Sequence, residues 1–497
     1  MTTYILSIHQ KTAGTRVVIL DHKAEVVASA YAEITQQFPQ LGWVEHDANE
    51  IWRVSMQVVA EALKNGRISP EQIAAIGVTN QRDTTVFWNK KTGEPVGRAI
   101  VWQDQRTLDI CRQLIAKDKV NIETRTGMVI VPDVTAAKIR WLMDNDHAIQ
   151  KGIANGEVLC GTIDSWLIWK LSGGAAHVTD HSNASVTLLL NANTLTYDDE
   201  MLNELGIPRE ILPELRRSSD IYAYTDPSAF FGVRVPIAGA AGDQQVAALG
   251  QACVRAGMAK NTYTSGSFMI LNTGERYLPP ANGLFSPVLW TIGESVAYGL
   301  EGKADAAGDV IHWLVGLGII HELGEAEGLA SQVPDTRGVY FVPPLSGSDI
   351  VRTGSYARSG ILGITRDITR HHVVRAAFEA LAYQTRDYVE EIKNRDPGFA
   401  PKILRVDGRT AKSDFLLQFQ ADILGIPVER PRFTNTAALG AAYLAGLAIG
   451  LWACVDEVAA YWKREYCFEP RMSEDRREEL YRGWQRAINQ VKSTGVQ

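Results

Sequence analysis

The sequence predicts an α/β protein built from two similar halves. Short apolar runs of strand length alternate with longer helical stretches along most of the chain. Residues 4–27, YILSIHQKTAGTRVVILDHKAEVV, read as strand, tight turn, strand, and the same pattern returns at residues 259–273, AKNTYTSGSFMILNT. A length of 497 residues suits two or three domains.

In the opening stretch, HQKTAGTR separates two apolar runs and carries Gly14, which is free to take a positive φ. Backbone N–H groups and hydroxyls in such a loop can turn onto a phosphate, although the same residues also fit an ordinary hairpin turn. A third strand is expected near 26–32 and a helix over 48–63, capped by Asp47 or Asn49. Residues 74–78 form a short buried strand ending in TNQRDTT, where an α/β sheet places ligands. A further strand at 99–102 precedes a mostly helical region, 105–155, broken at Pro132. Strand and helix follow over 160–171, a polar turn feeding an apolar run over 180–190, and a Pro-punctuated helix and loop at 205–220. PIAGAAGDQQVAALG, 236–250, reads as strand, glycine-rich turn and a helix opened by Asp243.

The division is expected between 1–252 and 253–497. The second half carries expected helices at 303–317, 369–392, 412–424 and 437–452, a glycine-rich stretch at 345–363, a strand at 403–407 and a charged amphipathic helix at 475–491.

Hydrophobic residues at 45% and charged residues at 22% are ordinary for a globular protein. A net charge of −7 with no long basic run excludes a nucleic-acid footprint. The five cysteines are scattered without a CxxC pair, which suits a reducing cytoplasm and argues against a cysteine zinc site. No signal peptide is expected, because no basic segment precedes an apolar one at the start. AALGAAYLAGLAIGLWACV, 437–455, is long and uncharged enough to raise a membrane span, but its Ala/Gly content favours a closely packed buried helix.

GWVEHDANEIW, AAIGVTNQRDTT, AIVWQDQRT, GTIDSWLIWKL, HVTDHSNAS, GDQQVAALGQ, GMAKNTY, LRVDG, FLLQFQADILG and TAALGAAYLAGLAIG occur in that order along nearly the whole chain. Together they resemble the FGGY carbohydrate kinase family, and within it the glycerol-phosphorylating members. The resemblance implies two actin-like (ribonuclease-H-like) domains hinged over a central cleft, with ATP and Mg²⁺ as cofactors. It also implies a small polyol or phosphorylated metabolite as ligand and, as family members commonly are, a homo-oligomer. By the same resemblance Arg82, Asp83, Trp102, Asp133, Asp243, Gln244 and Phe268 bind the polyol, and Asp243 is the catalytic base. Taken alone, Asp243 also fits a helix N-cap. Lys11, Thr12, Arg16, Ser265, Gly266, Gly308, His312, Arg409 and Ser413 fall on the nucleotide side.

Several positions depart from the family pattern. The first loop, DQGTTSSR in the family, is HQKTAGTR, so His9 stands where the family has the Asp associated with Mg²⁺, and Lys11 replaces a glycine. An imidazole is a poor substitute for a carboxylate around a hard cation, so no metal ligand is assigned. Thr264 and Arg409 replace glycines in the second and third phosphate motifs, and Ser413 an asparagine. In EGKADAAGDVIHWL, Lys303, Asp305, Asp309 and His312 are new. Asp133 replaces a pocket tyrosine and is expected to weaken glycerol binding unless it is paired. Three functional readings follow: a polyol kinase with reduced or altered nucleotide use, a catalytically silent binding protein for a polyol or anionic metabolite, and a metal-independent enzyme acting on a small anion. The phosphate-side departures predict weak or absent Mg²⁺-dependent ATP binding.

Overall fold

The computed structural model describes residues 3–264, 266–304, 307–343 and 359–493. β1 (Tyr4–Lys11) and β2 (Gly14–Leu20) form the expected hairpin, with only Thr12 and Ala13 between them. The apolar runs explain both strands, since Ile5, Leu6, Ile8, Val17, Val18, Ile19 and Leu20 are fully buried. His9, Gln10 and Lys11 belong to the strand rather than to a loop, because each has a cross-strand partner in Arg16, Thr15 or Gly14. Gly14 is not in the positive-φ region the sequence suggested. Glycine is needed there for close approach: a Cβ would lie 2.3 Å from the Ala32 carbonyl oxygen.

β3 (Val26–Glu33) extends the hairpin, and α1 (Ala48–Gly66) follows, capped by Asp47, whose carboxylate accepts from the backbone of Asn49 at 2.9 Å. β4 (Ile73–Asn80) runs parallel to β1. β5 (Ser219–Tyr224), β6 (Pro236–Gly242) and α2 (Asp243–Gly250) close the first half. The second half contains β7 (Ala259–Tyr263), β8 (Ser267–Gly274), β9 (Val288–Ile292), β10 (Ser295–Ala304) and α3 (Ala307–Gly316). It continues with α4 (Arg370–Arg395), β11 (Leu404–Asp407), α5 (Asp414–Leu424), β12 (Val428–Pro431), α6 (Thr436–Ala448), β13 (Arg464–Phe468) and α7 (Glu474–Ser493).

The repeat suggested by the two hairpins extends through the sheet. The first half orders its strands β3-β2-β1-β4-β6 and the second β10-β8-β7-β11-β12. In each, three antiparallel strands are followed by two parallel ones. This gives two actin-like α/β domains over one cleft. The half-sheets join through β5 and β9 in a single sheet of 13 strands, by one residue pair, Ser219 with Ile292. A separate sheet of 4 short strands gathers the expected strands, Ala99–Ile100 and Val158–Thr162, with Thr85–Asn89 and Glu45–His46, which the sequence did not suggest.

α6 explains the long Ala/Gly run. It lies against α2, β4 and β6 of the first half with backbone touching backbone. A Cβ at Gly250 would lie 1.9 Å from the Thr436 carbonyl oxygen, and one at Gly440 would lie 2.1 Å from that of Val246. Among the described residues, no helix is long and apolar enough to cross a membrane. Gly250→Ala should force the helices apart and cost about 1–3 kcal/mol; thermal unfolding of the variant checks this, and an unchanged midpoint would mean the crossing can relax.

Three local expectations change. The helix expected from residue 303 begins at Ala307, because β10 continues through Ala304 and Lys303 pairs with Phe268 in the sheet. The polar turn expected at the start of 180–190 is a short helix, His181–Val186, capped by Asp180. α5 starts at Asp414, capped by Ser413, after a 3₁₀ turn. Ser265, Asp305 and residues 344–358, most of the expected glycine-rich stretch, lie outside the described residues; Gly308 and Asp309 fall in the first turn of α3.

Candidate active site

Three adjoining cavities run along the cleft. The first, about 50 Å³, is lined by Arg82, Asp83, Trp102, Asp133, Phe268 and Lys303, among others. The second, about 480 Å³, has Lys11, Asp407 and Arg409 on its walls. The third, about 260 Å³, is bordered by Ile311, His312, Phe378 and Ser413. Thr12, Asp243, Gln244 and Thr264 line both the first and the second; Thr264 and Arg409 line both the second and the third.

Strand ends and helix starts build the first cavity. Arg82 and Asp83 follow β4 after the single residue Gln81, and Asp83 adopts φ 63°, which turns the chain sharply at the sheet edge. Arg82 makes a bidentate ion pair with Glu301, at 2.6 and 2.7 Å, and its Nε lies 3.7 Å from Asp243. Glu301 and Lys303 are two residues apart on β10 and so share a face. Lys303 forms an ion pair with Asp133, and its ammonium lies 4.6 Å from the Trp102 ring centroid. Two oppositely oriented charge pairs, Arg82–Glu301 and Asp133–Lys303, therefore cross between the halves. Trp102 and Phe268 meet edge to face at 6.3 Å and supply apolar wall, while Trp102 Nε1 donates to Thr12 Oγ1 at 2.9 Å.

Asp133 is thus paired, the condition under which the sequence reading did not expect it to weaken polyol binding. Asp83 does not serve as the ion-pair partner of Arg82; that role falls to Glu301, 219 residues away. Burial pushes Asp83 up to about 7, opposed by the charges of Lys138 and Arg82, with Asp133 adding to the rise and Lys303 opposing it. Between pH 4 and 7 the folded chain then keeps a proton that the unfolded chain has released. The stabilising contribution is present below pH 4 and gone above about 7. Compared with Asp83→Asn, the native chain should lose melting temperature as pH rises across that window; parallel curves would show that Asp83 is solvated.

Asp243 is the first residue of α2, at the end of β6, and burial raises its carboxyl above the usual range, against the opposing charges of Arg82 and Lys260. Lys260, which the sequence reading passed over, is fully buried and donates to Gln244 Oε1 at 2.8 Å, Thr262 Oγ1 at 2.9 Å and the Phe268 carbonyl at 3.2 Å. Its only sequence signal is a lysine within the strand AKNTY.

In the second cavity, His9 Nδ1 contacts Asn435 Oδ1 at 3.0 Å, and burial, reinforced by Lys11, pushes its pKa down to about 3, so the ring is neutral. Asp407 accepts from Thr436 through one oxygen, while its buried Oδ1 has no hydrogen-bond partner among the described residues. Asp243 and Asp407 are hard oxygen donors of the kind that fit a Mg²⁺ ion carried on nucleotide phosphates; His9 is not part of that set. Lys11, Thr264 and Arg409, which stand in place of glycines, lie on the wall of this cavity of about 480 Å³ and leave it room on the phosphate side. Arg16 lines none of the three cavities; it lies 5.1 Å from the Tyr31 ring centroid. Gly266 lines none either, and a Cβ there would lie 2.8 Å from the Ala304 carbonyl oxygen. Ser413 caps α5 and His312 sits on α3, both bordering the third cavity.

Sequence profiles for the N- and C-terminal domains of the FGGY family of carbohydrate kinases match residues 4–250 and 259–449, so the chain belongs to that family. Curated relatives named glycerol kinase, from Geobacillus sp. (strain WCH70) and Thermus thermophilus, are each 49% identical over 98% of this chain and 99% of their own. The crystal structure of Plasmodium falciparum glycerol kinase with ADP is similar at TM-score 0.88 and 31% identity, covering 99% of this chain and 98% of that one. Gluconate kinase from Lactobacillus acidophilus, at TM-score 0.86 and 20% identity over 100% of this chain and 99% of that one, shares the fold.

Proposed function

We propose that the protein transfers the γ-phosphoryl group of ATP to a primary hydroxyl of glycerol. One observation carries this reading: among the described residues, Asp243 is the only ionisable side chain lining both the small first cavity and the large cationic one. The glycerol kinases that match end to end support the same donor and acceptor.

In this reading Arg82, Asp83 and Gln244 hold the polyol hydroxyls, and Trp102 and Phe268 pack against its carbons. The attacking hydroxyl oxygen forms a bond to the γ-phosphorus as the bond to the ADP oxygen breaks, and the hydroxyl proton passes to Asp243. Lys11, Thr12, Thr264 and Arg409 meet the phosphates, and the third cavity takes the nucleoside against Ile311 and Phe378. Asp243 and Asp407 would hold a Mg²⁺ ion accompanying the nucleotide, which supplies positive charge to the phosphate oxygens when bound. We place the division at residues 252 and 253 and assign the protein to the cytoplasm, whose reducing conditions suit five free thiols.

The silent-binder and metal-independent readings rested on the altered phosphate motifs. With the cavity open and two carboxylates on it, neither has a feature in its favour. Glycerol-dependent ADP release, with the phosphorylated product identified by NMR, tests the proposal; no glycerol-dependent turnover at saturating ATP and Mg²⁺ would overturn it.

A further inference from the structure

Behind the first cavity lies a chamber of about 20 Å³. Arg82, Asp83, Asp133 and Lys303 line both spaces, so these four form the partition between them. The rest of the chamber wall is Glu301 and the apolar side chains of Met128, Val131, Val186 and Phe285. A space of roughly 10–15 Å³ holds one water-sized group, so this chamber has room for one more oxygen.

We propose that the chamber receives the terminal hydroxyl of a four-carbon polyol, and that the Asp133–Lys303 pair selects for it. The inference rests on the polyol kinase reading and names the chain length its pocket is built for. A hydroxyl donates and accepts at once, so it can bridge a carboxylate and an ammonium. Asp133 and Lys303, paired across the partition, present both. The methylene that carries the hydroxyl would lie against the apolar part of the wall. An acidic extension is disfavoured. A carboxylate or phosphate would enter beside Asp83, Asp133 and Glu301, while the two cations there, Arg82 and Lys303, are already neutralised by Glu301 and Asp133. A three-carbon polyol leaves the chamber to water, and a purely apolar extension would displace that water from the charged side chains of the partition without replacing its hydrogen bonds.

The test compares kcat/KM for glycerol, erythritol and threitol, in the native chain and in an Asp133→Tyr/Lys303→Ala double variant that removes both charges together. The native chain should phosphorylate at least one tetritol with kcat/KM comparable to that for glycerol. In the double variant the tetritol-to-glycerol ratio should fall by roughly ten- to a hundredfold, the discrimination one well-held group supplies. Native turnover of glycerol without either tetritol would overturn the inference and leave the kinase reading intact, as would an unchanged ratio in the variant. Native turnover of neither kind of polyol would overturn the kinase reading itself. If the double variant does not fold, the native ratio decides alone.

Discussion

Replacing Asp243 with asparagine should lower kcat by about 10²- to 10⁴-fold, the range associated with losing a positioned general base. The melting temperature should hold or rise. Asp243 sits at the first position of α2, where asparagine is tolerated, and burial already disfavours its charge, as the raised pKa records. A neutral side chain of the same shape removes that penalty. Arg82 stays compensated because its bidentate partner is Glu301, and Asp243 lies farther off at 3.7 Å. Stopped-assay turnover and calorimetry on the same preparation give both numbers. Undiminished turnover would remove Asp243 from the chemistry, and a large drop in melting temperature would reassign it to holding the helix in place.

The second large effect is expected at Glu301. Its side chain is 2% exposed and that of Arg82 is 10% exposed. Glu301→Ala leaves a guanidinium buried without its main counter-charge, which costs about 3–5 kcal/mol. An Arg82→Met/Glu301→Leu double variant removes both charges and should recover most of that stability. Activity should not return with it, because Arg82 lines the polyol cavity. Urea denaturation of both variants, with turnover measured alongside, separates the two roles. A single-variant loss below about 1 kcal/mol, the value of an exposed pair, would mean the two halves do not meet at this point in solution.

Elements with local signals were legible before any coordinates. The opening hairpin followed from two apolar runs around small residues, and α1 from its period and Asp47. The residues after β4 and the start of α2 were located correctly because strand ends at a sheet edge carry polar clusters. What stayed hidden was pairing at a distance. Glu301 and Lys303 alternate along YGLEGKA with the two-residue period of a strand, but expecting a helix from residue 303 put Lys303 on the wrong element. Once β10 is seen to run through Ala304, both side chains face the cleft, and the charge at Asp133 finds its counterpart 170 residues away. Lys260 was missed for a related reason: a lysine inside a strand reads as an exposed edge until three acceptors are seen around it. His9 shows the opposite case: the residue change alone suggested a lost metal ligand, while two carboxylates from distant parts of the chain stand on the same cavity.

The single Ser219–Ile292 link between the half-sheets has a consequence for how the chain is made. A ribosome that has completed β6 has delivered every strand of the first half, yet Arg82 and Asp133 still lack Glu301 and Lys303, and Gly77 and Gly239 still lack the backbone of α6. Contacts of such long sequence separation form late, after each half has collapsed on its own local pairings. Pulse-labelled hydrogen exchange should therefore show β1 and β4 protected before the segment around Arg82. The nascent protein acquires its fold in two instalments, and the substrate pocket comes only with the second.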